Sequence, residues 1–106
     1  MRDLKNMLEG SIQLISQTTE LFYQQKIEEG YKQLKDTLSV LIQTMDEIFA
    51  YKAEGHDILI DEKQLVQVLT EAMTAIEVKD TVLLSDILNY ELKELLETIL
   101  SLFTHR

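Results

Sequence analysis

Proline is absent from this chain of 106 residues, and glycine occurs only at Gly10, Gly30 and Gly55. These two residue types most often interrupt regular structure, because proline lacks a backbone donor and glycine is entropically costly to order. The rest of the sequence is rich in Leu, Glu, Gln and Lys, which are good helix formers. The chain is therefore predicted to be helical nearly throughout.

The spacing of apolar residues predicts two long helices in the first half of the chain. At about 3–23, apolar positions recur at helical intervals, with Ser11 and Thr18 on the same face. A second helix, at about 27–53, carries a heptad seam that Ile42 and Phe49 widen. The seam positions are Ile27, Tyr31, Leu34, Leu38, Leu41, Met45 and Ile48. A break within 23–26 is expected, because about fifty residues of unbroken helix would span about 75 Å.

A glycine and a short alternating segment separate the two halves. Gly55 suits the C-terminal cap of the second helix. The following GHDILID alternates polar and apolar residues, which is typical of a short extended connector. Its isoleucines, Ile58 and Ile60, are expected to lie against the end of the helical bundle.

Capping residues mark two further helices. Asp61, followed three residues later by a glutamine, resembles a capping box and opens a helix at about 62–77. Asp80 caps a fourth helix at about 81–104. Because the connection between these helices is only about three residues long, we expect them to be antiparallel neighbours.

These elements predict an all-α fold in a single domain, 1–106. We expect an antiparallel four-helix bundle built from two helical hairpins, with helices at about 3–23, 27–53, 62–77 and 81–104. A shift of 54 residues superimposes the apolar pattern of the first hairpin on the second. An internal duplication would produce this match, and so would any two amphipathic hairpins brought into phase.

The charge of the chain disfavours several classes of partner. Nineteen acidic residues against ten basic ones leave a net charge of −9. Nucleic-acid and anionic-membrane binding rest on clustered Lys and Arg, so neither partner is expected. No apolar run approaches the roughly 20 residues that cross a bilayer, and the charged first stretch lacks the apolar core of a signal peptide. The absence of cysteine fits a reducing compartment, so we expect a cytoplasmic protein.

No motif points to catalysis or to a cofactor. His56 lies in the predicted connector and His105 near the C-terminus, so neither forms the Glu-x-x-His pair that metal sites in helical bundles use. The three glycines are isolated, which excludes a glycine-rich phosphate loop, and no aspartate-rich calcium loop is present. We therefore expect a protein that is not an enzyme and needs no cofactor.

The fourth predicted helix holds the candidate site. At 100° per residue its core stripe comprises Leu84, Leu88, Leu92, Leu95, Ile99 and Leu102. Glu91 and Asn89 fall on opposite flanks of this stripe, whereas Tyr90 faces the other way. A carboxylate beside apolar surface needs a partner or water. Glu91 could pair with a lysine or tyrosine at the rim, or Glu91 and Asn89 could set the register of a helix–helix contact.

Leu83 and Ile87 lie on an apolar arc that is wider than a one-sided helix requires. Together with the seam of the second helix, this arc suggests more apolar surface than four short helices can cover. We therefore predict a homodimer, with Leu83, Ile87, Asn89, Tyr90 and Glu91 as candidate interface and register residues. The alternative is a groove that binds an amphipathic helix of a client protein.

The segment AIEVKDTVLLSDILNYELKELLETI, Ala75–Ile99, resembles the C-terminal signature of a family of small helical proteins of unknown function, found mainly in Gram-positive bacteria. The signature KDxVLLxDxLxYEL is matched from Lys79 to Leu92, and Glu28–Ile48 resembles the family's second helix more loosely. The resemblance implies a helical domain with no established activity. In size, charge and helicity the chain is also similar to small acidic chaperones that hold flagellar or secreted subunits, which is the alternative to an interaction module.

Overall fold

Helices fill almost all of the computed structural model, which describes residues 3–55 and 61–104. Helix α1 spans Leu4–Tyr23, α2 spans Ile27–Ala53 and α3 spans Glu62–Glu77. The remaining residues form one continuous C-terminal helix, which consists of α4 (Thr81–Asp86), a π-helical segment (Ile87–Leu92) and α5 (Lys93–Thr104). The described residues contain no strand, and the prediction of an all-helical fold with four helices is confirmed.

Aspartate caps begin three of the helices. The side chains of Asp3, Asp61 and Asp80 accept hydrogen bonds from backbone N–H groups two or three residues further on. Such caps satisfy donors that the first turn of a helix leaves without a partner. The caps predicted at Asp61 and Asp80 are therefore confirmed.

Left-handed residues end the helices. Gly55 follows the end of α2 with a φ of 95°, a conformation that glycine adopts without strain, as predicted for a C-terminal cap. The predicted break after α1 is also confirmed, and Gln25 there has a φ of 62°. Lys79, in the turn after α3, has a φ of 58°. The connector expected to carry Ile58 and Ile60 lies outside the described residues.

The two helix–helix turns share one hydrogen-bond pattern. In each, a backbone N–H donates to a carbonyl five residues earlier, from Lys26 to Leu21 at 2.9 Å and from Asp80 to Ala75 at 3.0 Å. This bond, with the left-handed residue just before the donor, is the Schellman arrangement. The turns are 54 residues apart, the same shift that aligns the apolar patterns.

Helix α1 lies at the centre of the molecule. It packs against α2 on one side and against the C-terminal helix on the other, and α3 packs against the C-terminal helix. The long dimension of 41 Å matches the length of about 40 Å expected for the 27 residues of α2. Among the described residues, no helix has both the length and the apolar character needed to cross a membrane. Because α2 and α3 approach each other less closely, a groove remains between them.

The face that α2 turns toward α1 differs from the predicted heptad seam. Its buried positions are Gly30, Leu34, Thr37, Leu41, Thr44, Met45 and Ile48. Small residues recur there every seven positions, and Ile42, which was placed beside the seam, is 62% exposed. The seam prediction is confirmed for Leu34, Leu41, Met45 and Ile48, which are buried, and was wrong for Ile27, which is exposed. It missed Gly30, Thr37 and Thr44 because it counted only apolar residues, whereas small residues let two helices approach closely. Leu38, Ile42 and Met45 lie on the flank of α2 that faces α3.

Two hydroxyl pairs join α1 and α2 inside the core. The Oγ of Ser11 lies 2.8 Å from Oγ1 of Thr44, and Oγ1 of Thr18 lies 2.7 Å from Oγ1 of Thr37. Both α2 threonines also donate to the carbonyl four residues earlier in their own helix, at 2.9 and 2.8 Å. Because each hydroxyl has one proton, Ser11 and Thr18 must be the donors in the two pairs. The two pairs therefore hold α1 and α2 together at two separate levels of the core.

The C-terminal helix departs from α-helical geometry where Asn-Tyr-Glu interrupts its row of leucines. The Lys93 N–H donates to the carbonyl of Leu88, five residues earlier, which is the π-helical pattern. Fully buried leucines recur every four residues, at Leu84, Leu88, Leu92 and Leu96. In an α-helix each such step would drift by about 40° around the axis. The wider π turn removes this drift and keeps all four leucines in the core.

The π-helical segment also changes which later residues are buried. Leu96 is fully buried, whereas Leu102, which the α-helical projection placed in the core stripe, is 43% exposed. Leu95, placed in the same stripe, is only half-buried. Ile99, also placed in the stripe, is fully buried as predicted. The projection was wrong for Leu95 and Leu102 because it assumed 100° per residue throughout.

Candidate protein-interaction site between α2 and α3

An apolar groove of about 300 Å³ runs between α2 and α3. It is lined by Leu38, Leu41, Ile42, Met45, Leu69 and Met73. Ile42 and Met73 are 62% and 50% exposed, although both are large apolar side chains. Val66, one turn before Leu69 on α3, is also exposed. Exposed apolar side chains grouped along one groove make it a candidate site for contact with another protein.

The groove follows from the way α2 packs on α1. Gly30, Thr37 and Thr44 are among the α2 positions that face α1. Leu38, Ile42 and Met45, spaced at i, i+4 and i+7, therefore lie on the flank that faces α3. Beyond the groove, Lys52 Nζ lies 3.0 Å from Glu62 Oε1 and links the end of α2 to the start of α3. Both side chains are substantially exposed, so this ion pair is expected to contribute less than about 1 kcal/mol.

Charges of both signs border the groove. At 100° per residue, Lys35, Asp46 and Lys52 project on the groove side of α2, and Glu62 and Glu77 on the groove side of α3. Two positive and three negative charges give a net of −1 for this border, compared with −9 for the whole chain. The border is therefore close to neutral, and most of the negative charge lies elsewhere.

The five residues predicted as an interface on the C-terminal helix lie outside the groove. Ile87 is 3% exposed and belongs to the core of this chain, whereas Leu83 and Tyr90 are exposed. Asn89 is half-buried and Glu91 is exposed. The apolar arc of this helix is partly covered by α1 and α3, but Val82, Leu83 and Leu102 stay exposed. Exposed apolar side chains therefore remain on this helix as well as on α2 and α3.

The roles expected for Asn89 and Glu91 in setting a helix–helix register stay predictions. Glu91 lies with Tyr90 and Glu94 on a cleft of about 240 Å³ between α3 and the C-terminal helix. Within residues 3–55 and 61–104, no three His, Asp or Glu side chains converge as metal ligands. The exposed position of Glu91 lets water solvate its charge, so burial does not force it to find a partner.

A polar cluster ties α1 to the start of the π-helical segment. The hydroxyl of Tyr23 donates to Oδ1 of Asp86 at 2.9 Å. Partial burial, this hydrogen bond and the Asp86 charge raise the pKa of Tyr23 to about 12, with smaller contributions from Tyr90. The projection placed Asp86 and Tyr90 on a solvated face and did not identify Tyr23 as their neighbour. No local pattern could do so, because Tyr23 and Asp86 are 63 residues apart.

Fold and surface together define a small acidic helical domain whose most apolar exposed feature is a groove between two helices. The sequence matches the model of a domain of unknown function, DUF8042, over residues 1–101, and the chain belongs to that family. The family assignment agrees with the resemblance to uncharacterised helical proteins. Comparisons with curated proteins and with solved structures gave no match.

Proposed function

We propose that this chain is a cytoplasmic, non-catalytic interaction module that forms a homodimer through the α2–α3 groove. The observation that carries the proposal is the exposure of Ile42 and Met73 at an entirely apolar groove. Burial of apolar surface contributes roughly 25 cal/mol per Å², so covering these side chains favours association. In a two-fold dimer both copies bury these side chains, which doubles the favourable free energy of association. The lack of cysteine supports the cytoplasmic setting.

The proposal includes an antiparallel arrangement of two hairpins, α1 with α2 and α3 with the C-terminal helix. The order of the pairs Ser11–Thr44 and Thr18–Thr37 supports opposite directions for α1 and α2. The ion pair between the end of α2 and the start of α3 supports opposite directions for these helices as well. Counting equal numbers of residues back along α2 and forward along α3 from that pair places Leu41 level with Met73.

A second candidate is a chaperone-like role in which the groove binds an amphipathic helix of a client protein. The observation that favours it is the length of the groove wall. From Leu38 to Met45 the α2 wall covers two helical turns, about 10 Å. A client helix with anchors at i, i+4 and i+7 would fill such a length. The net charge of −9 would favour a basic client.

Self-association can be tested with one substitution and a matched control. Ile42→Glu places a charge at the groove, and Val82→Glu places the same charge at an equally exposed apolar residue of α4, 66% exposed. In size-exclusion chromatography with light scattering over a wide concentration range, the unmodified chain and Val82→Glu should reach dimer mass. Ile42→Glu should remain monomeric with unchanged helix content by circular dichroism.

Two outcomes would contradict the homodimer proposal. A strict monomer at every concentration for the unmodified chain would exclude self-association and leave the client-binding candidate. Dimerisation that Ile42→Glu leaves intact would place the interface outside the groove.

A further inference from the structure

The charges beside Ile42 are arranged so that they complement a second copy of this chain. Lys35 and Asp46 lie seven residues before and four residues after Ile42. At 100° per residue, the three side chains fall within about 40° of one another around α2, so they form one stripe. Both charged residues are exposed, and neither forms a salt bridge within the part of the chain that the structure describes. Lys35 and Asp46 are therefore available to a partner.

We propose that two copies pair across a two-fold axis perpendicular to α2, with the two α2 helices side by side in opposite directions. This arrangement rests on the proposed homodimer and specifies its geometry. In it, Lys35 of each copy lies opposite the partner's Asp46, so the dimer gains two symmetry-related ion pairs. Opposed residues then have numbers that sum to 81. Ile42 accordingly lies over the partner's Ser39, an exposed small residue that leaves room for it.

The same axis brings the apolar part of the groove to the centre of the interface. It crosses α2 midway between Lys35 and Asp46, at the level of Leu41. Because Met73 is level with Leu41 in the proposed bundle, Ile42 and Met73 both lie close to the height along α2 at which the axis crosses it. The contact thus has an apolar centre with charges on both sides of it, which is the usual composition of a protein–protein interface.

Electrostatics favour this face and this orientation. Two copies with a net charge of −9 repel each other, and repulsion is weakest where the local charge is near zero, as it is along the groove border. A parallel arrangement of the two α2 helices would bring like charges together, Lys35 beside the partner's Lys35 and Asp46 beside the partner's Asp46. The antiparallel arrangement replaces both repulsions with attractions.

Charge reversal separates this arrangement from a general charge effect. Asp46→Lys changes the net charge from −9 to −7 (−9 + 2 = −7), which reduces overall repulsion. It nevertheless brings two lysines together at each end of the proposed interface. We expect the dimer dissociation constant, measured by analytical ultracentrifugation, to rise about tenfold, and Lys35→Asp to have a similar effect. The double variant Lys35→Asp/Asp46→Lys should return to within about threefold of the unmodified chain.

Glu97→Lys serves as the matched control, because it makes the same charge change at an exposed residue of α5. It should leave dimerisation unchanged or slightly tighter. Dimerisation by Asp46→Lys as tight as that of the unmodified chain would overturn the arrangement, and so would a double variant no better than either single one. Restoration of Lys35→Asp by Glu77→Lys would also overturn it, since α2 would then face the partner's α3.

The two proposals fail in different ways. If the unmodified chain dimerises and Ile42→Glu prevents it, but the charge reversals change nothing, the groove dimer stands and the antiparallel pairing of α2 is wrong. If the unmodified chain never dimerises, both are wrong.

Discussion

Helix α2 meets its two neighbours in opposite ways. Toward α1 it presents small and hydroxyl-bearing residues, which form a closed contact whose hydroxyls are paired. No buried side-chain nitrogen or oxygen in the described residues lacks a hydrogen-bond partner. Toward α3 it presents larger apolar residues around a groove, and one of them, Ile42, is mostly exposed. A helix that is apolar on two sides thus has one side covered within the chain and the other side open at a groove.

The largest change in folding stability is expected at the contact between α1 and α2. A Cβ at Gly30 would lie 2.6 Å from Cε1 of Phe22, whose ring is buried and packs edge-on against Tyr31 at 5.3 Å. Gly30→Ala should therefore lower the free energy of unfolding by about 2 kcal/mol, although alanine is the better helix former. Urea unfolding followed by circular dichroism measures this change.

Gly10→Ala is the matched control in α1. A Cβ at Gly10 meets no atom within 4 Å, so the same substitution should stabilise the fold by about 0.5–1 kcal/mol. If neither variant is destabilised, the α1–α2 contact is less tightly packed than the structure has it. If both are destabilised equally, the loss at Gly30 does not come from its contact with Phe22.

The next largest change in folding stability tests which hydroxyl of a buried pair is the donor. Thr37→Val removes the acceptor of the Thr18 hydroxyl, which is fully buried, and should cost about 1–2 kcal/mol. Thr18→Val should cost less, because Thr37 still donates to the carbonyl of Gln33. The double valine variant should be no less stable than Thr37→Val alone. Equal losses for the two single variants in urea unfolding would contradict the assigned proton direction.

A smaller effect is expected where α1 meets the C-terminal helix. Tyr23→Phe removes the hydrogen bond to Asp86 and should lower the free energy of unfolding at pH 7. The loss should be only about 1 kcal/mol, because the tyrosine is half-exposed. Folding raises the pKa of Tyr23 from 10.0 to about 12, so its contribution is complete below pH 10 and is lost as the pH rises toward 12. The stability difference between the two proteins should shrink over that range. A difference that grows with pH would contradict this account.

The smallest effect on folding is expected at the groove. Ile42→Glu, which should abolish association, is predicted to change the free energy of unfolding of the monomer by less than about 0.5 kcal/mol, because the side chain is mostly exposed. Thermal unfolding at low protein concentration measures this change. A loss as large as that of Gly30→Ala would mean that the groove side of α2 is as important to the fold as the side facing α1.

Sequence patterns were sufficient for the helices and their ends, because the signals involved are local. The caps at Asp61 and Asp80, the glycine at Gly55 and the absence of proline each act within a few residues. The predicted ends accordingly agree with the observed ones to within one residue. The candidate site was placed on the C-terminal helix, where Ile87 is in fact buried, because the sequence does not show which apolar face a neighbour covers.

Side-chain chemistry alone therefore determined that this chain is acidic and helical, and where each helix begins and ends. The tertiary structure decided which face of α2 meets α1, since that face depends on contacts between small residues of two different helices. It also decided that a π turn keeps Leu84 and Leu96 in one core, and that Tyr23 reaches Asp86 from 63 residues away. These outcomes depend on packing between distant segments, and the groove between α2 and α3 is their consequence.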